Sequence, residues 1–189
     1  ICKKLPVIRQ TLMFSATMAP EIKRLTEQFL SNPRQISCSP PASTAVNVEQ
    51  HMLLVEDRNK RDVLRHLLRT HQVKNAFIFC NRKKDVGILH RSLERHGFSA
   101  VALHGDMAQS ARTATLEAFK AERASLLVCS DVAARGIDIA DVSHVFNFDI
   151  PIHAEDYVHR IGRTGRAGKL GVAFTFAKPD ESKYISAVE

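Results

Sequence analysis

No apolar run in this sequence approaches the roughly 20 residues that a helix needs to cross a bilayer, so a membrane-spanning protein and a membrane partner are not expected. The amino terminus has no signal-peptide h-region and no initiating Met, and the chain is expected to be a piece of a longer protein. Cysteine is scarce. Cys2, Cys38, Cys80 and Cys129 are widely spaced, with no CxxC and no His pair at ligand spacing nearby. A secreted disulfide framework would be denser, which points to reduced, structural cysteines in a cytoplasmic protein. The nine histidines include no HExxH pair, so no metal site is expected in this chain. Acid is missing from one stretch altogether, between Asp156 and Asp180.

What is present is a chain of 189 residues with 27 Lys+Arg against 20 Asp+Glu, a formal charge of +7. That excess fits a polyanionic partner and says nothing of fold. From about residue 50, short apolar runs alternate with amphipathic stretches. The runs are His51–Val55, Ala76–Cys80, Ser99–Leu103, Ser125–Cys129, Ser143–Phe148 and Gly171–Phe176. Several are continuously apolar, the pattern of strands buried on both faces of a parallel sheet. Helical patterns separate them at Asn59–Thr70, Lys83–His96 (stopped by Gly97), Ala108–Lys120 and Ala154–Ile161. The alternation predicts a doubly wound α/β sheet with helices on both faces, whose ligands sit beyond the carboxyl ends of the strands.

The first forty residues predict a strand at Gln10–Phe14, a helix at Pro20–Leu30 and a strand at Arg34–Cys38. Ser39-Pro40-Pro41-Ala42-Ser43-Thr44 then reads as a linker. Residues 1–38 are therefore expected to be the tail of a preceding domain, 39–48 a linker, and 49–189 the domain proper. Strand–helix–strand is too little chain to bury a core of its own.

Three strand ends carry polar groups suited to an anion. Asn81-Arg82-Lys83-Lys84 follows the run ending at Cys80, and reads equally well as a solvated helix start. His104-Gly105-Asp106-Met107 follows Leu103, with Gln109 and Arg112 next along; Gly105 lets a backbone N–H approach a ligand closely. Ser130-Asp131 follows Cys129, with Arg135-Gly136-Ile137-Asp138 behind it. The sharpest signal is His159-Arg160-Ile161-Gly162-Arg163-Thr164-Gly165-Arg166-Ala167-Gly168-Lys169. Its glycines make a helix improbable beyond Ile161, so Arg163 and Arg166 are expected to project from tight turns. Planar guanidinium groups suit bidentate contact with phosphate. No phosphate-cradling loop accompanies them: Leu170 stands where a Walker A motif needs Ser or Thr, and G-x-G-x-x-G is absent.

In order along the chain, these segments resemble the DEAD-box RNA helicases of helicase superfamily two. Ser15-Ala16-Thr17 is similar to motif III, Phe79-Cys80-Asn81 to motif IV, Gln109 with Arg112 to the QxxR motif, and Ser130 through Asp138 to motif V. His159 through Arg166 reads HRIGRTGR, a full match to motif VI. The resemblance implies a RecA-like domain, a three-layer sandwich around a parallel sheet. It implies ATP with Mg²⁺ as the nucleotide, Gly136 and Asp138 among the residues that bind it with Asp138 at the ribose, and Arg163 and Arg166 as arginine fingers reaching the γ-phosphate. His159 would couple motif VI to Ser15 and Thr17. Asn81, Arg82, Gly105, Gln109, Arg112 and Ser130 would hold an RNA sugar-phosphate backbone, a contact without base information. Neither a Walker A Gly-Lys-Ser/Thr nor an Asp-Glu-Ala-Asp occurs. The phosphate-holding lysine and the magnesium ligands are thus expected on a preceding RecA-like domain, itself a partner of this one. Two other readings are a non-enzymatic RNA-binding module and a DNA helicase of a related branch; the SAT triplet and the HRIGRTGR wording favour RNA.

Overall fold

Six apolar segments pair side by side as β1 (Val48–Leu54), β2 (Ala76–Phe79), β3 (Ala100–Leu103), β4 (Leu126–Cys129), β5 (His144–Asn147) and β6 (Gly171–Ala177). Every pairing is parallel, in the order β1-β6-β5-β2-β4-β3. The computed structural model describes residues 5, 6, 8–15, 18, 20–37, 47–135, 137, 139, 142–166 and 168–188. The chain divides into two units, Ile1–Ser43 and Thr44–Glu189.

In the larger unit the chain steps from β1 to β2 to β3 in one direction across the sheet, then returns through β4, β5 and β6. Crossovers of one hand must then place the outbound helices on one face and the returning helices on the other. The core shows this. Helices α2 (Lys60–Thr70) and α3 (Lys83–Arg95) bury Leu64, Leu68, Val86 and Leu89 with Ile78, Val128 and Phe146. On the opposite face α4 (Gln109–Lys120), α5 (Asp131–Ala134) and α6 (Ala154–Ile161) bury Phe119, Ala134, Tyr157 and Ile161 with Phe77, Phe79 and Val145. Neighbouring residues of β2 thus face opposite layers, which is why its run is apolar throughout. The three-layer α/β sandwich expected from the sequence is present, with strand boundaries moved by one to three residues.

The helix stops follow their glycines. Helix α3 ends at Gly97 in the left-handed region (φ 83°), with Gly97 N donating to Glu94 O at 2.9 Å and Phe98 N to Leu93 O at 3.1 Å. Helix α6 ends at Ile161 and is followed by Gly165 at φ 68°, where a Cβ would stand 2.5 Å from Val48. Cys80 and Cys129 are buried free thiols, and burial raises the pKa of both, so neither is a reactive thiolate. A further helix, α7 (Ser182–Val188), closes the described chain and had no counterpart in the sequence reading.

In the smaller unit the helix is present as α1 (Pro20–Phe29), but the strand expected at Gln10–Phe14 is not formed. Residues 34–37 of the other expected strand likewise form no strand, and Cys38 lies outside the described residues. A strand needs a ladder partner, and the described part of this unit offers none. Apolar side chains are left in solvent as a result: Ile8 is 96% exposed and Phe14 89%. Most of the 39–48 segment also lies outside the described residues.

Candidate functional site

Arg160 occupies the centre of the carboxyl edge of the sheet. Helix α6 buries Tyr157, Arg160 and Ile161, one apolar stripe at i, i+3 and i+4, and the arginine falls on it. The guanidinium is 2% exposed, and all five of its N–H groups are used. Nε and Nη2 grip Asp131 as a fork at 2.7 and 2.6 Å. Nη2 also donates to Asn81 Oδ1 at 2.8 Å, while Nη1 donates to Asp149 O at 2.7 Å and to Asn147 Oδ1 at 3.5 Å. The plane lies 5.2 Å from the Phe79 ring. One side chain therefore ties together the ends of β2, β4 and β5. Local sequence gives Arg160 no partner, because its acid, Asp131, is 29 residues away. The available signal was an arginine on a buried stripe, which requires a partner.

Beyond α6 the chain turns and presents the two expected arginines. Arg163 is half-buried, and its Nη1 donates to Ile137 O at 2.9 Å. Burial, and after it the nearby charge of Arg166, lowers its pKa. Arg166 is exposed, and its Nε donates to Gly162 O at 2.5 Å, so Arg166 and not Arg163 caps the carboxyl end of α6. Among the described residues neither arginine has a carboxylate partner. Thr164, buried between them, donates to Val142 O and pins the turn to the chain entering β5. His159 is exposed on α6. Ser15 is exposed within the smaller unit, and Thr17, Gly136 and Asp138 lie outside the described residues.

The residues expected to hold a sugar-phosphate backbone line the same edge. Asn81 is exposed at the end of β2, yet its carboxamide turns into the fold: Nδ2 donates to Ile150 O at 2.9 Å, and Oδ1 accepts from Arg160. Arg82 is exposed at the start of α3, and Gly105 and Gln109 are exposed beyond β3. Gly105 has open space where a Cβ would be. Arg112 is half-buried and donates from Nη2 to Ala133 O at 3.2 Å, which fixes α4 to α5. Ser130 is buried immediately ahead of α5. Lys83 pairs with Asp106 at 2.8 Å, and its hydrogen bond is the main reason that carboxyl is held below its ordinary pKa. Beside this pair lies an open cleft lined by Lys84, Arg91 and His104. Among the described residues no cluster of three His, Cys, Asp or Glu could hold a metal ion.

In a doubly wound parallel sheet ligands sit beyond the carboxyl ends of the strands, and Arg163 and Arg166 stand at that edge here. Residues 59–168 match the model of the helicase conserved C-terminal domain, and the chain belongs to that family. Over all 189 residues it is 46% identical to the ATP-dependent RNA helicase CshA of Listeria monocytogenes, spanning 36% of that protein. Saccharomyces cerevisiae Dbp5, solved with RNA and ADP BeF3, superposes with a TM-score of 0.85 at 31% identity, covering 98% of this chain and 50% of that one. Escherichia coli DEAD-box protein SrmB, solved with the regulator of ribonuclease activity A, gives 0.69 at 36% identity, covering 74% of this chain and 82% of that one. These relatives bear out the DEAD-box resemblance and the RecA-like fold. The chain spans well under half the length of the curated relative.

Proposed function

We propose that this chain is the second RecA-like domain of a cytoplasmic ATP-dependent RNA helicase, preceded in residues 1–38 by the tail of the first. The observation that carries the proposal is the joint placement of Arg163 and Arg166, without a facing acid among the described residues, beside a strand-end surface bearing Asn81, Arg82, Gly105, Gln109, Arg112 and Ser130. Two neighbouring guanidinium groups of which one loses solvent fit a polyphosphate. When bound, ATP with Mg²⁺ supplies the phosphoryl group whose transfer rests on positioning and charge stabilisation. Arg163 and Arg166 neutralise charge on the γ-phosphate, Gly136 and Asp138 hold the nucleotide with Asp138 at the ribose, and His159 couples motif VI to the catalytic acids of the first domain. The phosphate-binding lysine and the magnesium ligands belong to the first domain, and the exposed apolar side chains of Leu12 and Phe14 belong to its sheet. RNA is held by its backbone, with little base preference.

The test is ATP hydrolysis by the full-length protein with and without single-stranded RNA, alongside the 189-residue chain alone. Stimulation by RNA in the first and no turnover in the second is the expected result. Robust turnover by the chain alone would contradict the half-site reading, and RNA binding without hydrolysis by the full-length protein would favour a non-enzymatic module.

A further inference from the structure

Lys60 is the first residue of α2 and is 3% exposed. A cation at a helix amino terminus opposes the helix dipole, and burying an ammonium costs several kcal/mol unless it is paired. Both penalties fall on one side chain, so its partner matters. Lys60 Nζ meets Asp149 Oδ1 at 3.1 Å, with Asp57 Oδ1 at 3.6 Å and the Phe148 ring 5.6 Å away. The second oxygen of Asp149 accepts the backbone N–H of Asn81 at 3.1 Å. Asp149 N donates to Phe79 O at 3.3 Å, and Asp149 O accepts from Arg160. The turn at Asn81-Arg82 is thus held from one side by Asp149 and Ile150 and from the other by Arg160. Lys60 supplies the opposite charge that orients the Asp149 carboxylate in a half-buried place.

We infer that Lys60 is a positioning residue for the RNA contact: through Asp149 it fixes the backbone of the Asn81-Arg82 turn in the geometry that meets a phosphate. Buried as it is, Lys60 acts through Asp149 and not by meeting a phosphate itself. The inference rests on the functional reading above and names a residue outside its motifs. A lysine present for stability alone would be replaceable by a well-packed apolar residue of similar length without effect on RNA use. A positioning lysine would not.

The experiment compares Lys60→Met and Lys60→Arg in the full-length protein, titrating single-stranded RNA in the ATPase assay and recording thermal unfolding. The expected result for Lys60→Met is a rise of at least about fivefold in the RNA concentration giving half-maximal stimulation, the size expected when a charged hydrogen-bond partner is lost. KM for ATP should stay within about twofold, since the Arg163 and Arg166 turn is held independently by Thr164. Lys60→Arg should recover most of the loss. An unchanged RNA requirement in folded Lys60→Met, or equal losses in RNA and ATP parameters that track the melting temperature, overturns the inference. If Lys60→Met does not fold, Asp149→Asn decides by the same measurements: its carboxamide keeps an acceptor for Asn81 N–H but loses the charge, and an unchanged RNA requirement overturns the inference. If the wild-type protein shows neither RNA binding nor RNA-stimulated hydrolysis, the functional reading fails instead, a result distinct from a variant that matches an active wild type.

Discussion

An ammonium can stand in for a guanidinium where only charge matters, and cannot where a planar fork is used twice. Arg163 commits its Nη1 to Ile137 O. Arg163→Lys keeps the charge but cannot hold the carbonyl and a phosphate together. In the full-length enzyme kcat for ATP hydrolysis should drop at least about tenfold, or roughly 1.4 kcal/mol of transition-state stabilisation. RNA affinity measured without nucleotide should change little, because Asn81, Arg82 and Arg112 are untouched. Single-turnover hydrolysis and nucleotide-free binding on the same variant decide the matter; unchanged hydrolysis with a lowered melting temperature would make Arg163 structural. Arg166 is a less clean probe, since it also caps α6 through Gly162 O, and its replacement reads helix stability and chemistry together.

At the scale of elements, β5 and β6 carry a ring stack that makes the sheet sensitive to acid. His144 lies parallel to Phe146 and Phe174 at 6.0 and 6.5 Å, with His71 edge-on at 6.2 Å. Burial first, and the charge of His71 second, push the His144 pKa down from 6.5 to about 4. An unfolded chain takes up this proton near 6.5 while the folded one refuses it until about 4, so stability is full above that window and falls as pH drops through it. The loss attributable to His144 should approach about 3 kcal/mol by the bottom of the window. Chemical denaturation of the chain between pH 7 and 4 measures it, and His144→Phe, which preserves the stack, should flatten that part of the curve. An unaltered slope in the variant would place the acid sensitivity elsewhere. Elements of this kind were legible one at a time, because β2 and β4 are apolar on both faces and α3 ends where Gly97 takes a left-handed turn. Their order in the sheet was not, since a parallel sheet leaves no register signal in the sequence. Gln10–Phe14 failed as a strand for a related reason: its apolar pattern states a need for a neighbouring strand that the described residues of its unit do not contain. The arginines of the turn were readable from glycine spacing, whereas the Arg160–Asp131 fork joins residues that only the return crossing of the sheet brings together.

At the scale of the whole molecule, an excess of 27 cations over 20 acids matters only where the cations gather without acids to answer them. Most of the ion pairs lie elsewhere, as with Arg65–Asp62 and Arg58–Glu56, while Arg82, Lys84 and Arg112 share the strand-end edge. Counterion release then sets how the molecule responds to salt. The 189-residue chain should bind single-stranded RNA weakly, with affinity falling steeply as salt rises. Arg112 is the sharpest probe because it sits between the β3 and β4 ends and is braced by Ala133 O, so its charge is held in place. Removing it as Arg112→Ala should lower the magnitude of the log–log salt slope by about 0.7, the value for one phosphate contact on a single strand. Arg112→Lys should keep that slope even if affinity weakens, since a point charge still releases the counterion and only the brace is lost. Fluorescence anisotropy across a range of salt concentrations separates the cases. A slope unmoved by Arg112→Ala would take Arg112 out of the RNA surface and leave it as a strut between α4 and α5.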